Sequence, residues 1–242
     1  MTALLEVKNL SREFGPLTAV SNVSFSVREG ELVGLIGPNG AGKSTLYNLV
    51  AGAIAPTSGD VLFKGRPVTG WKPYQAARAG VGRTFQIPKP YRHLSVIENV
   101  ALSAMLNHRT VAAARDNAEQ VLADFGLADY ADAPVSVLTV GLLKRLEVAR
   151  AVALRPSLVL LDEIMAGLTP TEVRGMTSLV SSLPARGTTV IWVEHVLYAI
   201  MKAAPRIMVL HRGELIADDT PEKVAKDPAV IKAYFGEEMS LA

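Results

Sequence analysis

The run GPNGAGKST, Gly37 to Thr45, stands between the apolar ELVGLI and the helical pattern LYNLVAG. Three glycines and a proline in nine residues cannot continue a buried strand, so the chain must leave the strand through a loop. Gly37, Gly42, Lys43 and Ser44 fit G-x-x-x-x-G-K-[ST], in the strand–loop–helix setting that motif requires. Glycines let backbone N–H groups turn inward and form a concave nest for phosphate oxygens. The helix that follows adds its positive end and its free N–H groups. Lys43 can reach β- and γ-phosphates, and the Ser44 hydroxyl can ligate Mg²⁺. The sequence therefore predicts a triphosphate wrapped by Gly37, Pro38, Asn39, Gly40, Ala41, Gly42, Lys43, Ser44 and Thr45.

Such a loop needs an acid for the metal and a group that positions water. SLVLLDE is a continuous apolar strand closed by Asp162 and Glu163 at the end where ligands gather in open parallel sheets. Asp162 is expected to hold Mg²⁺, mostly through water, and Glu163 to polarise the attacking water as general base.

The rest of the chain reads as α/β. The first 30 residues and GDVLFKGRPV suggest short strands of an antiparallel sheet. ELVGLIG, SLVLLDE and TTVIWVEH read as strands buried on both faces of a parallel sheet, and RIMVLHRGELIAD as a closing hairpin. Between Ile87 and Leu154 the pattern turns helical, in IENVALSAML, TVAAARDNAEQVLADFGL and VGLLKRLEVARAVAL. A P-loop core with a mostly parallel sheet, an antiparallel β lobe and an inserted helical lobe is expected.

With 242 residues, 49% hydrophobic and 20% charged, the chain can bury a sizeable core. A net charge of +2 and the lack of any RRM, zinc-finger or basic-arm pattern speak against nucleic acid as a partner. Without cysteine there are no disulfides or thiolate metal sites, which agrees with the cytosol. Glu6, Lys8 and Arg12 stand where a signal peptide would need an apolar block, and no segment is long and apolar enough to span a membrane. A soluble chain that could serve a membrane only from its surface is expected.

GPNGAGKST, Gln86 in VGRTFQ, LTVGLLKR, LLDE and His195 in VEH resemble, in order and spacing, the motifs of ABC-transporter ATPase subunits. The resemblance covers essentially the whole chain. It implies one ABC ATPase domain over 1–242, with 1–86 and 155–242 as core and β lobe and about 87–154 as helical lobe. It implies ATP as substrate, Phe14 stacked on adenine, Gln86 on Mg²⁺ or its water, and His195 at the γ-phosphate. Thr139, Val140 and Gly141 would bind the ATP held by a second ATPase subunit, so that nucleotide joins two subunits. Thr139 also suits an N-cap, and Gly141 lets phosphate approach. Three positions depart from the family pattern. Leu142 replaces an amide, Ile164 a proline, and Thr169 the usual Asp or Asn.

VGRTFQ, AGLTPTE, VEHVLYAI and the tail GELIADDTPEKVAKDPAVIKAYFG resemble the branched-chain or hydrophobic amino-acid uptake group. That implies an importer of two ATPase chains, unlike each other, two membrane permeases and an external solute-binding protein. The chain would then lie peripherally on the cytoplasmic face of the inner or plasma membrane. IPKPYRHLSV, with Lys89, Tyr91, Arg92 and His93, is expected to line the groove that receives a permease helix. Two other readings stay open at this level: a soluble ABC ATPase of the iron–sulfur assembly type, and an ATP-dependent clamp without turnover.

Overall fold

A computed structural model describes residues 3–235; the last residue of the quoted tail, Gly236, lies outside the described residues. Chain order begins with β1 (Ala3–Phe14), β2 (Leu17–Arg28), β3 (Leu32–Ile36), α1 (Lys43–Val50), β4 (Ser58–Phe63), β5 (Arg66–Pro67), α2 (Pro73–Ala79) and β6 (Val81–Arg83). Three helices follow, α3 (Val96–Ala104), α4 (Val111–Asp124) and α5 (Val140–Ala153). The chain then returns through β7 (Leu158–Asp162), α6 (Pro170–Ser182), β8 (Thr189–Val193), α7 (Leu197–Ala203), β9 (Arg206–His211), β10 (Glu214–Asp219), α8 (Pro221–Val224) and α9 (Pro228–Phe235).

Two sheets result. One is antiparallel, in the order β2-β1-β4-β5, and the other runs β10-β9-β3-β8-β7-β6, parallel except for β10. Strands β3, β7 and β8 are buried at every residue, as their unbroken apolar runs require. Alternate side chains go to opposite faces. Leu158, Leu160, Ile191, Val193 and Met208 pack toward the antiparallel sheet and α1. Val159, Leu161, Val190, Trp192 and Ile207 pack toward α3, α4, α5 and α6. The parallel sheet is thus the middle layer.

The helices start where the sequence supplies caps. Ser95 with Glu98 and Thr169 with Glu172 form capping boxes on α3 and α6, and Thr110 and Thr139 cap α4 and α5. Among the described residues no helix is long and apolar enough to cross a membrane.

The N-terminal strands differ from the short ones read in the sequence: β1 and β2 each run for 12 residues. Their pairing is broken by register shifts near Val7, Leu10 and Arg12, with Asn9 and Asn22 at φ 47° and 50°. These irregularities interrupt the period-two pattern and make one long strand look like several.

Gly34 sits mid-strand in β3, where an added Cβ would lie 2.6 Å from Ile207 Cδ1 and 2.8 Å from Ile200 Cγ1 of α7. Its absence lets α7 approach the sheet. Gly34→Ala is expected to cost about 1–3 kcal/mol through overpacking, lowering Tm by a few degrees for each kcal/mol. A thermal melt that coincides with that of the unaltered protein would contradict this packing account.

Candidate active site

The phosphate loop leaves β3 beside the C-terminal ends of β8 and β9. Gly37 has φ 152°, and a Cβ there would lie 2.1 Å from the Leu210 carbonyl oxygen; Gly42, at φ 101°, would bring one to 2.2 Å from the Ala19 oxygen. Only glycine fits at either end of the loop. Between them Lys43, nearly buried, turns back and donates to the carbonyls of Gly37 at 2.7 Å and Pro38 at 3.0 Å. Burial pulls its pKa down, and the Glu163 and Asp162 carboxylates oppose that shift.

A cavity of about 460 Å³ opens over this loop, lined by Asn39, Gly40, Ala41, Gly42, Lys43, Ser44 and Thr45 from one side. Leu17, Thr18 and Ala19 of β2, Glu163, His195 and Arg212 close the rest. Arg212, in the turn between β9 and β10, was not singled out in the sequence; a cation in a surface hairpin carries no signal of its own. Gly37 and Pro38 hold the base of the loop.

The acid pair ends β7. Glu163 has φ 46°, a left-handed backbone that a non-glycine residue adopts only under constraint. Its N–H donates to Val193 O at 2.9 Å. Both its carboxylate oxygens are engaged: the Gln86 amide donates to Oε2, and His195 Nε2 meets Oε1. Gln86, Glu163 and His195, far apart in sequence, therefore form one cluster. Glu194, fully buried, accepts from Met165 N at 2.8 Å and braces the turn after Glu163; burial pushes its carboxyl up.

Asp162 stands behind this cluster. Its N–H donates to Thr84 Oγ1 at 3.0 Å, and the Tyr47 hydroxyl donates to Thr84 O at 2.6 Å, tying α1, β6 and β7 together. Its Oδ1 is buried without a hydrogen-bond partner. Burial, then the neighbouring Glu163 charge, push the Asp162 carboxyl up to about 6. An orphaned carboxylate oxygen next to a phosphate loop fits a hard cation. Among the described residues no group of three or more His, Cys, Asp or Glu could hold a metal alone. A cation here would need phosphate oxygens among its ligands.

Helix α5 holds the segment between β6 and α3. Lys144 donates to the carbonyls of Gln86 and Glu163, Glu147 accepts from Phe85 N, and Arg150 donates to Lys89 O while covering the Tyr91 ring at 5.0 Å. These three side chains recur every third residue on one helix face. Sequence reasoning missed them because charges on a helix usually mark a solvated face. The segment they hold is exposed from Tyr91 to His93.

The remaining candidates lie away from the cavity. Phe14, half-exposed at the β1–β2 turn, has the Arg12 guanidinium 4.5 Å from its ring centre. Thr139, Val140 and Gly141 begin α5, with Val140 exposed and Gly141 buried. A Cβ on Gly141 would fall 2.1 Å from Glu172 Oε1, so the Glu172 side chain packs directly against this backbone.

A glycine cradle at the end of a parallel strand, with a buried acid pair beside it, defines a P-loop nucleotide hydrolase. Residues 20–166 match the family model described as ABC transporter, and residues 214–239 the one described as Branched-chain amino acid ATP-binding cassette transporter. The chain belongs to the ABC transporter family and is one of its ATPases. It is similar to the high-affinity branched-chain amino acid transport ATP-binding protein LivG of Salmonella typhimurium, 38% identical over 97% of this chain and 98% of the relative. The ADP conformation of an ATP-binding cassette of an ABC transporter superposes with a TM-score of 0.88 at 28% identity, covering 98% of this chain and 100% of that one. A dimeric post-hydrolysis cassette bound to ADP and Pi matches with a TM-score of 0.81 at 26% identity, over 90% of this chain and 98% of that one.

Asp162 gives a pH-dependent expectation. Its carboxyl ionises near pH 4 in an unfolded chain and near 6 in the fold, so its charge costs stability increasingly from pH 4 to 6 and fully above. Without nucleotide or metal, Asp162→Asn should stabilise the protein by about 1–3 kcal/mol at pH 8 and by progressively less toward pH 4. Urea melts at the two pH values check this; equal midpoints at pH 8 would contradict it.

Proposed function

We propose that this ATPase energises a membrane importer of branched-chain or related hydrophobic amino acids, as a peripheral subunit on the cytoplasmic face of the membrane. The observation that carries the reading is the match of residues 214–239 to the branched-chain cassette model on a chain that also holds the Gln86–Glu163–His195 cluster. A soluble iron–sulfur assembly ATPase would not account for that C-terminal match. A clamp without turnover would not account for Glu163 and His195 at the phosphate loop.

In this reading residues 1–242 form one ATPase domain, and the ATP phosphates lie in the 460 Å³ cavity while the adenine reaches beyond it to the free face of Phe14. The backbone N–H groups from Gly37 to Thr45 hold the β-phosphate, and Lys43 exchanges its carbonyl partners for phosphate oxygens. Mg²⁺ would be held by Ser44, Asp162 and Gln86 and would neutralise developing phosphate charge. Glu163 takes a proton from the attacking water, and His195 reaches the γ-phosphate. Gln86 and His195 each meet one Glu163 oxygen, so a shift of either side chain toward ATP would free that oxygen for water. Thr139, Val140 and Gly141 serve the ATP of a second, related ATPase chain. Tyr91, Arg92 and His93 face one of two permeases that work with a solute-binding protein.

Glu163→Gln is expected to keep ATP affinity while slowing hydrolysis by about 10²–10⁴-fold, and to accumulate an ATP-bound dimer. Lys43→Ala should lose nucleotide binding itself. Turnover near normal in the Glu163 variant would sink the base assignment.

The partner reading is tested at Leu142, which packs against the core and offers no amide to a neighbouring nucleotide. A homodimer would carry that loss in both sites, an unequal pair in one. Leu142→Gln should tighten ATP-driven dimerisation by about 0.5–1.5 kcal/mol and change turnover chiefly at the partner's site. Full cooperative activity of the lone chain, unchanged by Leu142→Gln, would contradict the unequal pair.

A further inference from the structure

Lys144 lies in the first turns of α5 and is 4% exposed, yet it is neither in the phosphate loop nor in the cavity lining. A buried ammonium is costly unless its charge and donors are met. Here Glu194, Glu163, Asp162 and Glu147 surround it, and their charges oppose the downward pull of burial on its pKa. Its Nζ donates to two main-chain oxygens, those of Gln86 and Glu163, the latter at 3.1 Å. Both belong to residues whose side chains meet in the cluster.

The Glu163 main chain is thereby pinned at both ends. Its N–H rests on Val193 O of β8, its carbonyl on Lys144, and its φ of 46° lies where a non-glycine residue needs such support. With both ends fixed, the direction of the Glu163 side chain follows. We propose that Lys144 is a positioning residue for Glu163, which holds the carboxylate at its working place and ties that place to the start of α5. Any displacement of α5 then reaches the Glu163 main chain through one side chain. The inference rests on the reading of Glu163 as general base.

The test is a double-mutant cycle on ATP hydrolysis by the full chain. Lys144→Met should lower kcat by about 10²-fold, since a displaced reacting group costs of that order, with KM for ATP changed less than about threefold. In a Glu163→Gln background the same change should add nothing, because Lys144 acts through Glu163. Lys144→Arg, which keeps charge and donors, should recover most of the rate. Where Lys144→Met does not fold, Lys144→Gln, which keeps a donor and loses the charge, carries the same expectations. A folded Lys144 variant with kcat within about threefold of normal, a loss expressed in KM, or losses that multiply with Glu163→Gln would each overturn the proposal. Near-normal turnover of Glu163→Gln alone would overturn the general-base reading instead, and needs no Lys144 variant to be seen.

Discussion

Charge buried at the end of an apolar sheet is the constraint around which the site is arranged. Asp162 ends β7, and Glu163 and Glu194 follow β7 and β8, strands buried along their whole length, so their carboxylates stand where water is scarce. Left alone, such charges would cost several kcal/mol each. Two buried lysines answer them from opposite sides, Lys43 from α1 and Lys144 from α5. The balance is incomplete at Asp162, whose Oδ1 lacks a partner and whose carboxyl is pushed up to about 6. That residual debt of charge makes the site receptive to a cation arriving with phosphate.

The same arrangement explains why the helical segment between β6 and β7 is more than an insertion. Lys144, Glu147 and Arg150 on one face of α5 fasten the chain at Gln86, Phe85 and Lys89. Residues 85–91 therefore have their position set by α5 at one side and by Glu163 at the other. Asn99 of α3, buried, clamps Tyr91 by accepting from its N–H at 2.7 Å and donating to its carbonyl at 3.1 Å. An exposed strip next to the site is thus held on a rigid support.

How much of this was legible depended on whether a signal was local. Unbroken apolar runs disclosed β3, β7 and β8, because a strand buried on both faces has no polar side to confuse the pattern. The nest from Gly37 to Thr45 was legible because glycine is forced wherever backbone must approach backbone. The three-residue β6 was hidden in VGRTFQ, too short to show a period. The length of β1 and β2 was hidden by their bulges. Lys144, Glu147 and Arg150 were illegible for another reason. A charge in a helix means solvent by default, and only the tertiary partner reverses that meaning. Glu163 and Glu194 each follow an apolar run; the paired acid in LLDE marked Glu163 for the cavity, while the place of Glu194 beneath it shows only in the fold.

The three departures from the family pattern share a physical feature. Ile164 is fully buried and joins the larger core, Leu142 packs against that core, and Thr169 caps α6 through a reciprocal bond with Glu172. Each serves the local fold of this chain, and none removes a group from the cavity over the phosphate loop. Leu142 and Thr169 stand at the starts of α5 and α6, where Gly141 and Glu172 press together, whereas Ile164 lies inside the core. Such changes leave a chain's own nucleotide cavity intact while changing what it offers to a neighbour.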